Sequence, residues 1–144
     1  MHALSPSGGS PEPRGWTVVL TEQVEAWYMR LSDEDANRIA ASLDELGRRG
    51  PALGRPFVDS IKGSRHHNMK ELRSVGGHLR TLFAFDPHRH AVVLVAGDKT
   101  GDWRGWYARN IPLADKLYDR HLRSLGKEGP WPPRTGGRSA DRDR

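Results

Sequence analysis

The chain has 144 residues, a length that suits one domain rather than two. It contains no cysteine, which excludes disulfides, thiolate metal sites and cysteine nucleophiles. Its hydrophobic fraction is 35%, no apolar run reaches the roughly 18 residues that span a membrane, and its first residues lack the apolar centre of a signal peptide. We therefore expect a cytoplasmic protein with no membrane partner.

Large apolar residues are scarce at both ends of the chain, where Gly, Pro, Ser and Arg predominate. This composition predicts a flexible leader over residues 1–15 and a disordered basic tail over residues 126–144. Residues 16–125 are then the folded domain, and a domain of about 110 residues buries enough surface to fold alone.

Charge is unevenly distributed along the predicted domain, although the whole chain carries +5. Residues 16–61 hold 5 Lys/Arg against 8 Asp/Glu, whereas residues 62–123 hold 12 against 6. A basic half is typical of proteins that bind a polyanion such as nucleic acid. A basic solubilising surface explains the same composition about equally well.

The first part of the domain is predicted to be a strand followed by a helical hairpin. Residues 16–20 are rich in β-branched side chains and indicate a strand. Thr21 and Ser32 are suited to cap two helices, each of which has apolar residues at helical spacing. The second helix ends near Gly47, and a loop over residues 51–63 follows.

Three strands are predicted next, over residues 68–75, 79–85 and 91–96, with tight turns between them. A last helix is predicted to begin at an Asn110 cap, with Pro112 in its first turn, and to end at Gly126. The element order is β-α-α-β-β-β-α. It predicts a two-layer α+β fold with an antiparallel sheet and helices packed on it.

The histidines and carboxylates do not have the regular spacing of a metal site. His66 and His67 are neighbours, which would point to opposite faces of a strand, and His88 and His90 flank a turn, where we expect surface residues. There is also no glycine-rich phosphate loop and no nucleophile elbow. We therefore predict neither a metal nor a cofactor.

A series of cations on successive strands and on the loop after them is the main chemical feature of the sequence. Its members are Lys62, Lys70, Arg73, Arg80, Lys99, Arg104 and Arg109, with the aromatic residues Trp103, Trp106 and Tyr107 near the last three. If Arg73 and Arg80 share a sheet face, a basic surface with nearby aromatics results, which suits single-stranded RNA. Two alternatives remain open: the aromatics seat the last helix, and Arg80 is solvent-facing or ion-paired.

Three segments in a fixed order resemble the phage-derived branch of the RelE/HigB-type toxins. They are Met69-Lys70-Glu71-Leu72-Arg73, then Gly77-His78-Leu79-Arg80-Thr81-Leu82-Phe83-Ala84-Phe85, then Val92-Val93-Leu94-Val95-Ala96-Gly97-Asp98-Lys99. The loop over residues 101–107 and the helix over residues 111–122 resemble the actinobacterial members of that group. The likeness covers most of residues 16–125.

The resemblance implies a RelE-like fold and a toxin of a type II toxin–antitoxin module. Such toxins cleave mRNA on the translating ribosome by attack of the 2′-OH on the adjacent phosphate, without a metal, and a helix-turn-helix antitoxin of the HigA kind silences them. It also implies catalytic roles for Arg73, Arg80 and Lys99, with Arg104 and Tyr107 carried over less directly. Lys62, Lys70, Trp103 and Arg109 are assigned to RNA binding.

The loop after the third strand departs from the Lys-rich run of the family, since it has one Lys and two Asp. Asp98 and Asp102 are each open to a role as a base or as a turn or helix-cap residue. Two other functions remain open: a non-enzymatic inhibitor of DNA gyrase, like the ParE-type toxins, and a non-catalytic nucleic-acid-binding module.

Overall fold

The computed structural model describes residues 2–4, 15–98 and 101–128. The strands are β1 (His2–Leu4), β2 (Thr17–Leu20), β3 (Val58–Ser60), β4 (Met69–Arg73), β5 (Leu79–Phe85) and β6 (His90–Asp98). The helices are α1 (Glu22–Met29), α2 (Asp33–Arg49) and α3 (Trp103–Glu128), and a short 3-10 turn, Gly50–Ala52, follows α2. Within these ranges, none of the helices combines the length and the apolar character needed to cross a membrane.

All six strands form one sheet in the order β1-β2-β6-β5-β4-β3. The pairs from β3 to β6 are antiparallel, as predicted for a meander, and β1 is antiparallel to β2. β2 runs parallel to β6, however, so the sheet is mixed, and the prediction of an antiparallel sheet is wrong at this pair. A tight turn between two paired strands makes them antiparallel. The chain instead passes through the helical hairpin after β2, and a long connection of this kind allows parallel pairing.

The first two helices begin at the predicted caps. The side-chain oxygen of Thr21 accepts a hydrogen bond from the backbone N–H of Val24, and that of Ser32 accepts one from Asp35. The Thr21 hydroxyl also donates to the carbonyl oxygen of Leu94 on β6, at 2.9 Å. The cap therefore fixes α1 to the central strand of the sheet.

Helices cover both faces of the sheet, so β6 is buried on both sides. On the hairpin face, α1 and α2 pack on Leu72, Leu79, Phe83, Ala91 and Val93. On the α3 face, α3 packs on Met69, Leu82, Ala84, Val92, Leu94 and Val95. The α+β class and the packing of helices on a RelE-like sheet are confirmed, and α3 adds a layer on the face opposite the hairpin.

The last helix begins earlier than the sequence predicts, at Trp103 rather than after Asn110. Asp102 provides the start, because its side chain accepts from the backbone N–H of Gly105 at 3.1 Å and its carbonyl accepts from that of Trp106. Pro112 therefore lies inside the helix, and the Asn110 amide donates to the carbonyl of Trp106 instead of capping. The helix also extends beyond the predicted domain boundary at residue 125, to Glu128.

The predicted leader contributes β1, which lies at the edge of the sheet beside β2. The rest of that leader up to residue 14, and the predicted tail after residue 128, lie outside the described residues.

Candidate active site

Three adjacent strands place a row of residues on the α3 face. Arg73 on β4 and Arg80 on β5 are direct cross-strand partners, and Gly97 on β6 pairs with Arg80 on its other side. Glu71 lies two residues before Arg73, so it projects to the same face. Its partner Leu82 belongs to the core under α3, which identifies that face. The two arginines therefore share a face, with a carboxylate beside them.

Glu71 is the centre of this group. It is buried, and its Oε2 accepts a hydrogen bond of 2.7 Å from the hydroxyl of Tyr107 on α3. The same oxygen lies 2.8 Å from Nε of Arg80 as an ion pair. Arg80 is itself largely covered and donates through Nη1 to the carbonyl of Leu79 at 3.0 Å. Burial of a carboxylate costs free energy unless the charge is paired. Here the guanidinium of Arg80 and the hydroxyl of Tyr107 both pair with Glu71.

Tyr107 is held in its protonated form. Burial is the main cause that raises its pKa to about 12, and the hydrogen bond to Glu71 and the charge of that carboxylate add to the shift. Arg80 and Arg73 oppose the shift, which places both guanidinium groups within electrostatic reach of the phenol. Tyr107 therefore enters the site as a proton donor rather than as a phenolate.

Arg73 is anchored from two sides. Its Nη2 donates to Oδ2 of Asp59 on β3 at 3.1 Å, and its carbonyl oxygen accepts from the buried Ser42 hydroxyl of α2 at 2.7 Å. The backbone N–H of Ser60 and the charges of Arg55 and Arg73 keep the pKa of Asp59 low. The edge strand and the helical hairpin together set the position of this guanidinium.

The two guanidinium groups differ in how their buried Nε atoms are placed. That of Arg80 lies against Glu71 at 2.8 Å without a well-aligned hydrogen bond, and that of Arg73 has no hydrogen-bond partner among the described residues. Two adjacent guanidinium groups are suited to an anion with several acceptor oxygens, such as a phosphodiester.

Gly97 makes room for the helix that carries Tyr107. A side chain there would collide with the indole ring of Trp106, which lies directly over this glycine. Trp106 is buried and contacts Tyr107 edge to face at 5.3 Å. Trp106 thus has the seating role that we left open for the three aromatics.

Trp103 and Arg104 form an exposed rim one turn before Tyr107. Trp103 is 48% exposed and meets the Tyr107 ring edge to face at 6.1 Å. The Arg104 guanidinium lies over the Trp103 ring, 5.5 Å from its centroid. An exposed ring beside a cation is suited to stack on an unpaired base.

The other predicted RNA-binding residues do not join this group. Arg109 is exposed and lies 3.6 Å from the Asp102 carboxylate, and Lys62 is exposed on the loop after β3. Lys70 pairs with Phe83, a residue of the hairpin-face core, so it projects away from the arginines. Strand alternation therefore separates Lys70 from Arg73, and its role in RNA binding stays a prediction. Lys99 lies outside the described residues.

The two aspartates left open as bases have other partners. Asp98 lies 3.1 Å from Nε2 of His78, and Asp102 caps α3. Within the described residues two carboxylates lie beside the arginines: Asp59, which pairs with Arg73, and the buried Glu71, which contacts both Arg80 and Tyr107. Glu71 is a site residue that sequence reasoning missed, although its spacing of two from Arg73 is a usable signal.

The prediction that His90 is a surface residue is wrong. His90 is buried, and so are Asp86 and His121, which form a cluster with it. Burial opposes the charge on Asp86, but hydrogen bonds from His121 and His90 keep its pKa at about 2. The sequence gives no local signal for this contact, because His121 lies on a helix that is distant along the chain. His88 is exposed, as expected.

The chain matches a protein-family model described as "Phage derived protein Gp49-like (DUF891)" over residues 26–119. A Mycobacterium tuberculosis protein named "Putative toxin HigB3" is 47% identical over 107 residues, covering 74% of this chain and 94% of the relative. Another from that organism, "Putative toxin HigB2", is 47% identical over 111 residues, covering 75% of this chain and 55% of the relative. The chain therefore belongs to the phage-derived Gp49-like family and is HigB-like.

Proposed function

We propose that this protein is the toxin of a type II toxin–antitoxin module and that it is an endoribonuclease acting on mRNA at the translating ribosome. The observation that carries the proposal is the convergence of Arg73, Arg80 and Tyr107 around the buried Glu71. The names of the two mycobacterial relatives support the toxin role.

The reaction is attack of a ribose 2′-oxygen on the adjacent phosphorus, with departure of the 5′-oxygen of the next nucleotide. Glu71 accepts the proton of the 2′-OH, and Tyr107 donates a proton to the leaving 5′-oxygen. The products are a 2′,3′-cyclic phosphate and a 5′-hydroxyl, so no water is consumed in this step. Arg73 and Arg80 stabilise the negative charge that develops on the phosphoryl oxygens.

Glu71 and Tyr107 are already joined by a 2.7 Å hydrogen bond, so the two proton-transfer groups lie side by side. The substrate phosphate must then displace the phenol from Glu71 and accept the donors of the arginines. In the free protein the contacts of Glu71 hold the site assembled and keep its charges compensated.

Trp103 and Arg104 would hold the RNA beside the scissile bond, with the indole stacked on a base and the guanidinium on a phosphate. Arg109 and Lys62 are exposed cations that would make further phosphate contacts, and Lys99 remains a predicted catalytic cation. An antitoxin of the helix-turn-helix, HigA-like kind is the expected partner, and the acidic α1–α2 hairpin is one surface open to it.

The test is induced expression in bacteria with the 5′ ends of mRNA mapped, for wild type, Arg73→Ala, Arg80→Ala and Glu71→Gln. Lys70→Ala is the matched control, because it removes a cation from the same strand but on the opposite face. We expect growth arrest and new 5′-hydroxyl ends within reading frames for wild type and Lys70→Ala. The three site variants should lose both.

Other outcomes decide between the alternatives. Growth arrest without new RNA ends would favour a ParE-like inhibitor of gyrase. If well-folded wild-type protein causes neither growth arrest nor RNA cleavage, the proposal is overturned and a nucleic-acid-binding module is favoured.

A further inference from the structure

A second group of chemically reactive side chains lies at the far end of α3. Oδ2 of Asp86, in the turn between β5 and β6, is 2.8 Å from Nδ1 of His90 and 2.8 Å from Nε2 of His121. The three residues are only 4%, 2% and 3% exposed, respectively. Along α3, His121 is 14 residues beyond Tyr107, or about 21 Å, so the group is separate from the proposed active site.

The Asp86 carboxylate is held rigidly in this position. Its other oxygen, Oδ1, accepts hydrogen bonds from the backbone N–H groups of His88 at 2.8 Å and His90 at 2.9 Å. The His121 ring stacks on Tyr118, with 15° between the two planes. Outer contacts of this kind orient the ligands of protein metal sites.

The geometry suits a small cation with nitrogen ligands. The two imidazole nitrogens and a carboxylate oxygen all lie within 4.8 Å of one another. Bonds of about 2.0–2.2 Å in a tetrahedral arrangement separate ligand atoms by roughly 3.4 Å. The Asp86 oxygen is 2.8 Å from each histidine nitrogen, so these atoms must move apart by about half an ångström to bind an ion. Two imidazoles favour a transition metal over Mg²⁺ or Ca²⁺, which prefer oxygen ligands.

Asp86 lines an open cleft of about 410 Å³, together with His66, Asn68 and Tyr118, but its carboxylate is covered. Entry of an ion from this cleft therefore requires the covering side chains to move aside, and the same movement admits a water molecule as the fourth ligand. We propose that Asp86, His90 and His121 bind one divalent transition-metal ion of the Zn²⁺ class, which ties α3 to the β5–β6 turn.

The ion has a structural role in this proposal. It joins two parts of the chain that are 31 residues apart, and its charge offsets that of a carboxylate that is shielded from water. The proposed RNA cleavage does not depend on it, so the two proposals can fail independently.

The test uses the full chain, treated with a chelator and titrated with Co²⁺ and with Zn²⁺. We expect one equivalent of each ion to bind, with the strong visible absorption of four-coordinate Co²⁺ and a higher melting temperature in Zn²⁺. His121→Gln and Asp86→Asn should weaken binding roughly a hundredfold or more, since each removes a direct ligand.

Two matched controls separate this site from other histidines. His88→Gln changes an exposed residue of the same turn, and His66→Gln changes a histidine that lines the cleft and pairs with Asp119 at 2.8 Å. Both should bind one ion as tightly as wild type. If wild type gives only the weak absorption of six-coordinate Co²⁺, the proposal is overturned whether or not the variants fold. Equal binding by folded His121→Gln would also overturn it.

Discussion

The hydroxyl of Tyr107 donates a 2.7 Å hydrogen bond to Oε2 of Glu71, which connects the first part of α3 to the middle of β4. The two residues are 36 positions apart in sequence, and each is partly or fully removed from water. The contact joins an acid and a base across the interface between helix and sheet. Its properties can be measured in the free protein, without any substrate.

Replacement of Glu71 by Gln should lower the pKa of Tyr107 from about 12 while leaving it above its usual value of 10. The carboxylate raises this pKa by its charge and hydrogen bond, but burial is the larger cause and remains in the variant. Tyrosine titration by NMR measures the change. Tyr118 is the internal control, because burial also raises its pKa but Glu71 is not among the causes. An unchanged Tyr107 pKa in Glu71→Gln would contradict the arrangement.

The same shift predicts a difference in alkaline stability between wild type and Tyr107→Phe. A group whose pKa is higher in the folded state contributes stability that is complete below its unfolded pKa and is lost as the pH rises through its folded pKa. For Tyr107 this window runs from about 10 to about 12. Denaturant unfolding over this range should show wild type losing stability relative to Tyr107→Phe. Parallel curves for the two proteins would show that Tyr107 titrates normally.

Gly97→Ala should destabilise the fold and disturb the proposed active site together. The new methyl group would collide with the Trp106 indole, and Gly97 is the cross-strand partner of Arg80. We expect a loss of about 1–3 kcal/mol in the free energy of unfolding, as is typical of overpacking. Thermal unfolding and Trp fluorescence measure it. Gly54→Ala is the control, since open space surrounds that position; equal losses in both variants would refute the close contact.

The periodicity of the sequence predicts most of the fold because it reports burial along single elements. The second strand of the meander, Leu79–Phe85, has the predicted bounds, and Thr21 and Ser32 cap the helices as expected. The predicted beginning of α3 is too late, since Pro112 lies inside the helix rather than in its first turn. The Asp102 cap and the burial of Trp106 against Gly97 together stabilise the two turns before it.

Only part of the candidate site is predictable from the sequence, because the position of α3 over the sheet has no local sequence signal. Alternation places Glu71, Arg73 and their neighbours on one of two faces, but the side chain that meets them depends on how α3 crosses the sheet. The pairing of Glu71 with Tyr107 is therefore a tertiary contact without a local signal. The buried His90 was misjudged for the same reason, because its partner His121 lies in another element.

Lys62 and Lys70 should differ in their effect on RNA binding, because the loop of Lys62 adjoins the α3 face and Lys70 projects to the hairpin face. The loop that carries Lys62 packs on the α3 face through Ile61, and Lys70 projects to the hairpin face. Affinity for a 2′-O-methylated single strand, which cannot be cleaved by 2′-OH attack, can be measured over a range of salt concentrations. Lys62→Ala should reduce the slope of log affinity against log salt by roughly 0.7, the loss of one phosphate contact. Lys70→Ala should leave the slope unchanged, and a reduced slope for it would place the RNA on the hairpin face instead.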